Sequence, residues 1–441
     1  MDEPGITDFG NDGLPDLDIY YDSARTSFWV KNDRSTYIRV RTEDVKRILA
    51  KQGYRTNCLK NESISQADAL IVTLQKSKDV EYADSLAGFW AGVHMINGRR
   101  VLVRDSPLLV EPCPGEWTTL QGVIRKMLGE EQEGYLFGWL KVAIECLRTH
   151  KNRQGQALTI AGPKDCGKSL IQNLFTEILG GRSHKPHRYM SGLTPFNSEL
   201  FGAEHLMIED EEASTDIRAR RNFGTKIKEI AANREHSCHP KHRIALMLSP
   251  FWRLSITVND EPENLMILPP IDSSLEDKII ILKASKHPMP MHTVTNAQRD
   301  SFMAALRSEL PAFVAFLLNW KIPDSLVSQR YGITHFHHPD ILDALGAFSP
   351  ENHLLEIIDA QLFNSPAPGS WQGSASQLQR LLTADTSTVK REASKILTFQ
   401  AACGTYLGRL EKIHKHRVER SRTSQTTIWT IHPPSNGDSA D

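Results

Sequence analysis

The chain has 441 residues, which exceeds one ordinary hydrophobic core and predicts roughly two to four domains. With 40% apolar and 24% charged residues it lies close to the average of globular proteins, which excludes wholesale disorder and a fibrous architecture. The formal net charge is −1, so the whole protein has no electrostatic attraction for nucleic acid, and any such contact must come from local basic surfaces.

The charge is uneven along the chain. Residues 1–21 contain six acidic residues and no Lys or Arg, whereas residues 387–424 contain nine Lys or Arg and three Glu. The six cysteines have no paired spacing, which favours a reducing, cytoplasmic compartment over a disulfide framework. The sequence shows no signal segment and no run of about 18 apolar residues, so we expect no membrane span.

Strands and helices are predicted in the amino-terminal part of the chain. Residues 27–31 and 36–40 predict a strand pair around a polar turn. Residues 42–49 predict a capped helix that ends near Gly53, which indicates a small α/β domain whose function is not readable from the sequence. Residues 131–149 carry apolar side chains at helical spacing and predict a packed helix that leads into the next domain.

A phosphate-binding loop is predicted after residue 161. A short apolar strand at 157–161 runs into a loop with the spacing GxxxxGK[ST], and an apolar-periodic helix follows. In such a loop the glycines let backbone N–H groups close around phosphates, Lys168 would reach the β- and γ-phosphates of ATP, and Ser169 would hold Mg²⁺. Cys166 stands at a variable position and is interpreted as incidental. The predicted ATP-binding residues are Gly162, Pro163, Lys164, Asp165, Cys166, Gly167, Lys168, Ser169 and Leu170.

An acidic cluster follows the next predicted strand. Residues 205–208 form an apolar strand, and four acids come directly after it. One carboxylate would hold Mg²⁺ through water, and the next would polarise the attacking water. We favour Asp210 for the metal and Glu211 for the base, with Glu209 and Asp210 as the competing frame.

A third strand, at residues 253–258, ends at Asn259. In a parallel sheet this places Asn259 at the same edge as the phosphate loop, where its amide could hydrogen-bond the attacking water or the γ-phosphate. An Asn-Asp pair after a strand is also ordinary turn chemistry, so the order of the three motifs decides the interpretation.

Residues 162–259 thus hold a phosphate loop, an acid-ended strand, a basic segment and an Asn-ended strand. This order resembles motifs A, B, B′ and C of the superfamily 3 (AAA+) helicases, in particular their phage and plasmid primase-helicase members. The resemblance covers about residues 130–290. It implies a P-loop AAA+-type ATPase that assembles as a ring, a homo-hexamer, around DNA.

The basic segment at residues 235–243 corresponds to the DNA-tracking β-hairpin of that family. Its Lys241-His242 pair matches the Lys-His at the hairpin tip, and with Arg243 it would contact single-stranded DNA. An exposed turn without function is one alternative. The other alternative is a zinc site, although its tight spacing lacks the usual separated ligand pairs. The zinc ligands would be His236, Cys238, His239 and His242.

The resemblance also implies a cation that acts across the subunit interface. It corresponds to Lys278, which follows the Asn-ended strand. Many relatives carry Arg there, and a Lys lacks the bidentate fork of a guanidinium. The rival candidates are Arg218, Arg220 and Arg221.

The carboxyl-terminal part predicts three helices and a β-wing. The helices fall at 351–363, 374–382 and 394–416, and the wing strands at 417–422 and 426–431, an order that fits a winged-helix domain. Its basic residues would contact duplex phosphates, with protein docking as the alternative. These residues are Lys412, Lys415, Arg417, Arg420 and Arg422.

The predicted fold class is therefore α/β, with a parallel-sheet ATPase core, a small amino-terminal α/β domain and a carboxyl-terminal winged-helix domain. The expected divisions are an acidic leader (1–20), the amino-terminal domain (21–128), the ATPase core (129–290), a helical lid or connector (291–348), the winged-helix domain (349–433) and a polar tail (434–441).

The predicted function is that of an ATP- and Mg²⁺-dependent DNA helicase or translocase that replicates a phage, plasmid or other mobile element. The alternative is a nucleic-acid-sensing ATPase switch, for example in antiviral defence, which would not unwind DNA productively. A bifunctional primase-helicase is disfavoured, because the candidate carboxylate pair of a primase falls in the acidic leader rather than on an apolar strand.

Overall fold

The computed structural model describes residues 17–209, 217–241, 244–347, 349–364, 368–422 and 426–434. It divides into two compact units, Met1–His338 and Pro339–Asp441. Four predicted site residues lie outside the described part, as does the side chain of Arg218. These four are Asp210, Glu211, His242 and Arg243.

The first unit begins with a small domain of two sheets and two helices. Its elements are β1 (Ile19–Asp22), β2 (Ser27–Lys31), β3 (Tyr37–Val40), α1 (Thr42–Lys51), α2 (Gln66–Ser77), β4 (Asp79–Val80), β5 (Tyr82–Asp84), β6 (Gly92–Ile96) and β7 (Arg99–Val103). The strand orders are β3-β2-β1-β4 and β5-β7-β6. Neighbouring residues of β2 point to opposite faces, so Phe28 packs on the two helices and Trp29 packs toward the smaller sheet. The predicted strand pair and helix are confirmed.

The larger part of the first unit contains a five-stranded sheet and its helices. Its elements are α3 (Thr118–Leu128), α4 (Glu130–Thr149), β8 (Ala157–Gly162), α5 (Lys168–Ile178), β9 (Ser183–His184), α6 (His187–Met190), β10 (His205–Glu209), α7 (Ile217–Ala232), β11 (His236–Cys238), β12 (Leu246–Leu248), β13 (Arg253–Asn259), α8 (Pro262–Leu265), β14 (Ile279–Lys283), α9 (Asn296–Asn319), β15 (Val327–Ser328) and β16 (Gly332–Ile333).

The five-stranded sheet has the order β14-β8-β13-β10-β9, and its strand pairs are parallel. The central strands are buried along almost their whole length, as expected for a sheet covered on both faces. In register, Asn259 lies beside Gly162, and Glu209 lies beside Thr257. The predicted parallel sheet is therefore confirmed, and it brings the ends of three motif-bearing strands to one edge.

A layer of helices packs on this sheet. Among the described residues, one helix, α9, is long and apolar enough to cross a membrane by length and composition. Its side chains Leu306, Leu310 and Phe313 are buried in the same core as Trp117 and Phe137. This packing is that of a core helix.

The second unit combines helices with a three-stranded antiparallel sheet of order β17-β19-β18. The predicted single helix at 394–416 is wrong, because the chain leaves the helix at Leu397, which is buried in the core of the unit, and resumes at Ala402. The elements are α10 (Pro339–Ala347), α11 (Pro350–Leu362), β17 (Trp371–Gly373), α12 (Ala375–Thr383), α13 (Lys390–Ile396), α14 (Ala402–Ile413), β18 (Val418–Arg422) and β19 (Thr427–Ile431).

Candidate active site

The loop between β8 and α5 has the shape that its glycines allow. Gly162 ends β8, and a Cβ there would lie 2.5 Å from the carbonyl oxygen of Ala284, so no side chain fits. Asp165 and Gly167 have positive φ angles of 61° and 98°, which turn the chain back into α5. The first N–H groups of α5 therefore face the space enclosed by the loop, where a helix N-terminus favours an anion.

Lys168 lies at the centre of this loop. Its side chain is buried, and Nζ donates to the carbonyl oxygens of Gly162 (2.7 Å) and Pro163 (2.8 Å) and to Oδ1 of Asn259 (3.0 Å). In the described part of the chain no carboxylate pairs with Lys168. Its positive charge is therefore uncompensated there and available to an anionic ligand.

Oxygen groups suitable for a hard cation lie at the same edge. Ser169 is in the first turn of α5, and its hydroxyl makes no hydrogen bond to any described residue. Glu209 ends β10, and its carboxylate is 3.8 Å from Nζ of Lys185. A hydroxyl and a carboxylate are the ligand types that Mg²⁺ prefers, so the residues present fit this ion. Asp210 and Glu211 follow Glu209 but lie outside the described residues, so the choice between the two acidic frames stays a prediction.

A buried chain of polar side chains connects α5 to the two strands beside it. The amide of Gln172 donates to Oγ of Ser255 (2.8 Å) and accepts from Oγ1 of Thr257 (3.1 Å). His205 lies 2.7 Å from Oγ of Ser255 and 2.7 Å from Oγ1 of Thr176. Burial lowers the pKa of His205 to about 3, so its ring is neutral. Our sequence reasoning missed this chain, although polar residues within apolar strands were a usable signal.

A β-hairpin stands between β10 and β13. Its strands β11 and β12 are antiparallel, with His236 opposite Leu248 and Cys238 opposite Leu246. The hairpin that the resemblance implied is therefore present. Near its tip Lys241 is exposed and Ile244 is 93% exposed, while His242 and Arg243 lie outside the described residues.

Asn197 holds the first strand of this hairpin where it leads into the turn. Its Oδ1 accepts from the backbone N–H of His239 (2.7 Å), and its Nδ2 donates to the carbonyl oxygen of Ser237 (2.9 Å). The backbone N–H of Asn197 also donates to the carbonyl oxygen of His239 (3.3 Å). The Asn197 side chain is buried, so these bonds are shielded from water. The residue carries no sequence motif, and our prediction did not include it.

The structure gives no support to a zinc site in the hairpin. Cys238 is buried, and burial raises the pKa of its thiol to about 12. Burial also lowers the pKa of His236 to about 4, and its ring lies 4.5 Å from that of Trp252. Within the described ranges, no group of three or more His, Cys, Asp or Glu side chains could hold a metal ion.

The candidate interface cations differ in their surroundings. Lys278 precedes β14, whose first residue pairs with Ala157 at the start of β8, so it lies at the edge opposite the phosphate loop. Its Nζ forms an ion pair with Asp277. Arg220 is buried and donates from Nη2 to the carbonyl oxygen of Leu268 (2.9 Å). Arg221 is exposed and has no side-chain partner among the described residues, so it is the cation most accessible to a neighbouring subunit.

One of the five predicted DNA contacts in the second unit is wrong. Arg417 is buried, Nη2 pairs with Oδ1 of Asp359 at 2.5 Å, and Nε donates to the carbonyl oxygen of His432 (2.9 Å). The guanidinium therefore stabilises the interior of the unit and cannot reach a phosphate. The remaining four cations are exposed: Lys412, Lys415, Arg420 and Arg422.

Comparisons with known proteins address the fold. No family model matches this chain, and no curated protein matches it. The apo structure of the NrS-1 C-terminal region (305-718) aligns with a TM-score of 0.53 at 11% identity, covering 95% of this chain and 96% of that one. The A form apo structure of that region aligns with a TM-score of 0.50 at 12% identity, covering 94% and 96%. A JCV helicase structure aligns over 51% of this chain and 61% of its own with a TM-score of 0.25, which supports no argument about the fold. Over nearly its whole length, this chain therefore has a fold similar to that of the NrS-1 C-terminal region.

Proposed function

We propose that this protein is an ATP hydrolase that moves along nucleic acid, a ring-forming DNA helicase or translocase. The observation that carries the proposal is the contact between Nζ of Lys168 and Oδ1 of Asn259 at the phosphate-loop edge of the parallel sheet. It joins the cation of the first motif to the polar residue of the third. Chance turn chemistry at Asn259 would not require that contact.

The chemistry follows from the residues at that edge. ATP phosphates would replace the carbonyl oxygens of Gly162 and Pro163 as acceptors for the Lys168 ammonium, with the N–H groups of the loop around them. Ser169 and an acidic residue after β10 would hold Mg²⁺, which when bound neutralises charge on the phosphates. The next carboxylate would accept a proton from water, and Asn259 would orient that water toward the γ-phosphate.

Nucleic-acid movement is proposed from the place of the hairpin in the chain. It is inserted between β10 and β13, which both end at the nucleotide edge, and Asn197 holds its first strand. A shift of these strands on hydrolysis would therefore move Lys241, whose ammonium could hold a phosphate of a single strand.

A ring is proposed because a trans-acting cation completes such sites in the resembled family. In this chain Arg221 and Lys278 are the described candidates, and a homo-hexamer is the expected assembly. The helices and antiparallel strands of the second unit support a winged-helix interpretation, in which the four exposed cations would contact duplex DNA.

Replacing the loop lysine tests the proposal. The parent protein should hydrolyse ATP and displace a strand from forked DNA. The Lys168→Ala variant should lose both activities by about 100-fold or more, because the buried Lys168 ammonium is the cation held among the loop carbonyls beside Asn259. Lys321→Ala is a control for the loss of a lysine, since Lys321 is exposed and lies outside the loop, and the variant should retain activity. Near-normal hydrolysis by Lys168→Ala would refute the site.

The same assay distinguishes a helicase from the alternative function, a nucleic-acid-sensing ATPase switch. A nucleic-acid-sensing switch would hydrolyse ATP when DNA binds yet leave the forked duplex intact. Strand displacement by the parent that disappears in Lys168→Ala selects the helicase. DNA-stimulated hydrolysis without displacement selects the switch.

A further inference from the structure

The amino-terminal domain contains a groove that its sequence did not reveal. A cavity of about 690 Å³ opens between its two sheets, beside Arg25, Trp29, Arg39 and Arg104. A second cavity of about 560 Å³ shares Arg25 and Arg39 with the first and extends past Arg41. We call the two together the arginine groove and define it by Arg25, Ser27, Trp29, Arg39, Arg41 and Arg104.

Strand register places these groups on one face. Trp29 of β2 lies opposite Arg39 of β3 in an antiparallel pair, so the two side chains share a face of the sheet. Ser27 stands two residues before Trp29, and Arg41 stands two residues after Arg39. Both side chains therefore lie on the same face of the sheet as Trp29 and Arg39. The guanidinium of Arg25 stands 5.8 Å from the centre of the Trp29 ring.

The positive charge of the groove is only partly neutralised. Arg25 pairs with Asp84 at 2.9 Å and with Asp22 at 3.7 Å, and Arg104 pairs with Asp105 at 2.9 Å and with Asp84 at 3.7 Å. Asp44, at the rim, pairs with Arg47 at 3.1 Å. By contrast, no described carboxylate pairs with Arg39 or Arg41, and both side chains are exposed. Two uncompensated cations therefore stand side by side along the groove.

The floor of the groove presents buried polar groups without partners. Trp29 is 4% exposed and Ser27 is 8% exposed. Neither Nε1 of Trp29 nor Oγ of Ser27 has a hydrogen-bond partner in the described part of the chain. Buried donors are normally satisfied, so an unpaired indole N–H beneath two free arginines indicates a ligand rich in acceptors and negative charge.

A third cavity connects the arginine groove to the hairpin. It has a volume of about 710 Å³, and its lining includes Arg25 and Asp84 of the amino-terminal domain and Lys241 and Ile244 of the hairpin. Four acidic residues line it. Asp84 and Asp22 pair with Arg25 at 2.9 and 3.7 Å, Glu81 pairs with Arg99 at 2.9 Å, and exposed Glu199 lies 3.2 Å from the ring of His184. The third cavity therefore shares Arg25 and Asp84 with the arginine groove and brings Lys241 to the neighbouring surface.

We propose that the arginine groove binds the phosphodiester backbone of single-stranded nucleic acid and continues the path that begins at the hairpin. The inference rests on the proposed function, because it extends the contact assigned to Lys241. The guanidinium groups of Arg39 and Arg41 donate to phosphate oxygens, and the indole N–H of Trp29 donates to an oxygen of the strand. An extended strand fits a narrow groove between two sheets and meets both sites at once.

The test compares two double variants in binding to a dT20 oligonucleotide over a series of salt concentrations. Arg39→Ala with Arg41→Ala should raise Kd about tenfold and flatten the slope of log affinity against log salt by about 1.4, since each single-strand phosphate contact contributes about 0.7. Arg34→Ala with Lys51→Ala removes the same charge from exposed positions outside the groove and should leave both values near those of the parent.

A third variant tests the buried donor. Trp29→Phe keeps an aromatic ring in the core but removes the N–H, so it should raise Kd about threefold without changing the salt slope. An effect on melting temperature without an effect on Kd would show that Trp29 is only structural and would count against the proposal.

Other outcomes would overturn the inference in distinguishable ways. The Arg39/Arg41 variant could keep the Kd and the salt slope of the parent while a Lys241→Ala variant loses strand displacement. That result would reject the groove as a binding site and leave the proposed function intact. Competition by inorganic phosphate or dTTP as effective as that by the oligonucleotide would assign the site to a free phosphate compound. A loss of ring assembly with unchanged oligonucleotide affinity would make the groove a subunit contact.

Discussion

Two lysines, Lys168 in the phosphate loop and Lys241 near the hairpin tip, stand in opposite environments. Lys168 is 6% exposed and its Nζ is fixed by acceptors from the loop and from Asn259. Lys241 is exposed and stands near Ile244, which is 93% exposed. A buried, fixed cation suits one small ligand held in a single geometry, whereas an exposed cation can follow a polymer that moves past it. The difference in burial therefore distinguishes the two proposed roles of lysine in this protein, nucleotide binding by Lys168 and nucleic-acid contact by Lys241.

The second unit offers the strongest test of this contrast, in two arginines near β18. Arg417→Ala should lower the free energy of unfolding by about 3 to 5 kcal/mol, because it leaves the carboxylate of Asp359 partly buried without its partner at 2.5 Å. Arg422→Ala should change it by about 0.5 kcal/mol or less, since that side chain is exposed. Urea unfolding of the full chain measures both.

Duplex binding should show the reverse order. Arg422→Ala should weaken binding and flatten its salt dependence, whereas folded Arg417→Ala should bind with the affinity of the parent. A stable Arg417→Ala protein with a reduced salt slope would contradict the assignment of Arg417 to the interior.

At the nucleotide edge, Asn259→Ala should reduce ATP turnover about 100-fold and leave nucleotide affinity nearly unchanged, because the amide acts on the attacking water rather than on the bound ground state. Asn264→Ala is the control, as Asn264 is exposed on the short helix that follows. Steady-state turnover and binding of a non-hydrolysable analogue measure the two effects. Equal loss of affinity and turnover would make Asn259 a positioning residue for Lys168 instead.

A smaller effect is expected from pH. His205 has a pKa of about 3 in the folded protein against 6.5 for an exposed His, so between these values the unfolded chain binds the proton first. The contribution of His205 to the free energy of unfolding is complete above pH 6.5 and is lost as pH falls toward 3. The loss amounts to about 1.4 kcal/mol per pH unit, and hence to about 2 kcal/mol at pH 5.

Denaturant titrations at several pH values test this. His205→Gln should be less stable near neutrality but should show a pH slope smaller by about one proton. His292→Gln, at an exposed position, should keep the slope of the parent. An unchanged slope in His205→Gln would mean that His205 is not the buried group that titrates.

The sequence predicted the parallel sheet and the shared edge of its three motif-bearing strands well, because their signals are local. Glycine spacing fixes the loop, apolar runs mark the strands, and parallel strands bring Gly162, Glu209 and Asn259 together at one edge. The hairpin was also predicted, through its place between two motifs. These features depend on a few residues each and on the order of elements along the chain.

Contacts between distant residues were not predictable in this way. Arg417 lies in a basic run that indicates a solvated surface, yet its guanidinium pairs with Asp359, 58 residues earlier. Asn197 and the arginine groove carry no motif, because both arise when separate segments meet. The split of the predicted 394–416 helix has the same origin. The apolar spacing of the sequence continues through this segment, but the helix ends before Leu397, whose side chain is buried in the core of the second unit.

The central claim is that hydrolysis at the buried edge drives movement at the exposed hairpin, and the ratio of strand displacement to ATP turnover measures that coupling directly. Lys241→Ala with His242→Ala should keep basal turnover and ring assembly within about twofold of the parent while strand displacement falls below detection, because the groups that hold phosphates during each cycle are gone. Lys321→Ala, at an exposed lysine outside the hairpin and the phosphate loop, should keep the ratio of the parent. Full displacement by the hairpin variant, or an equal loss of turnover and displacement, would contradict the account.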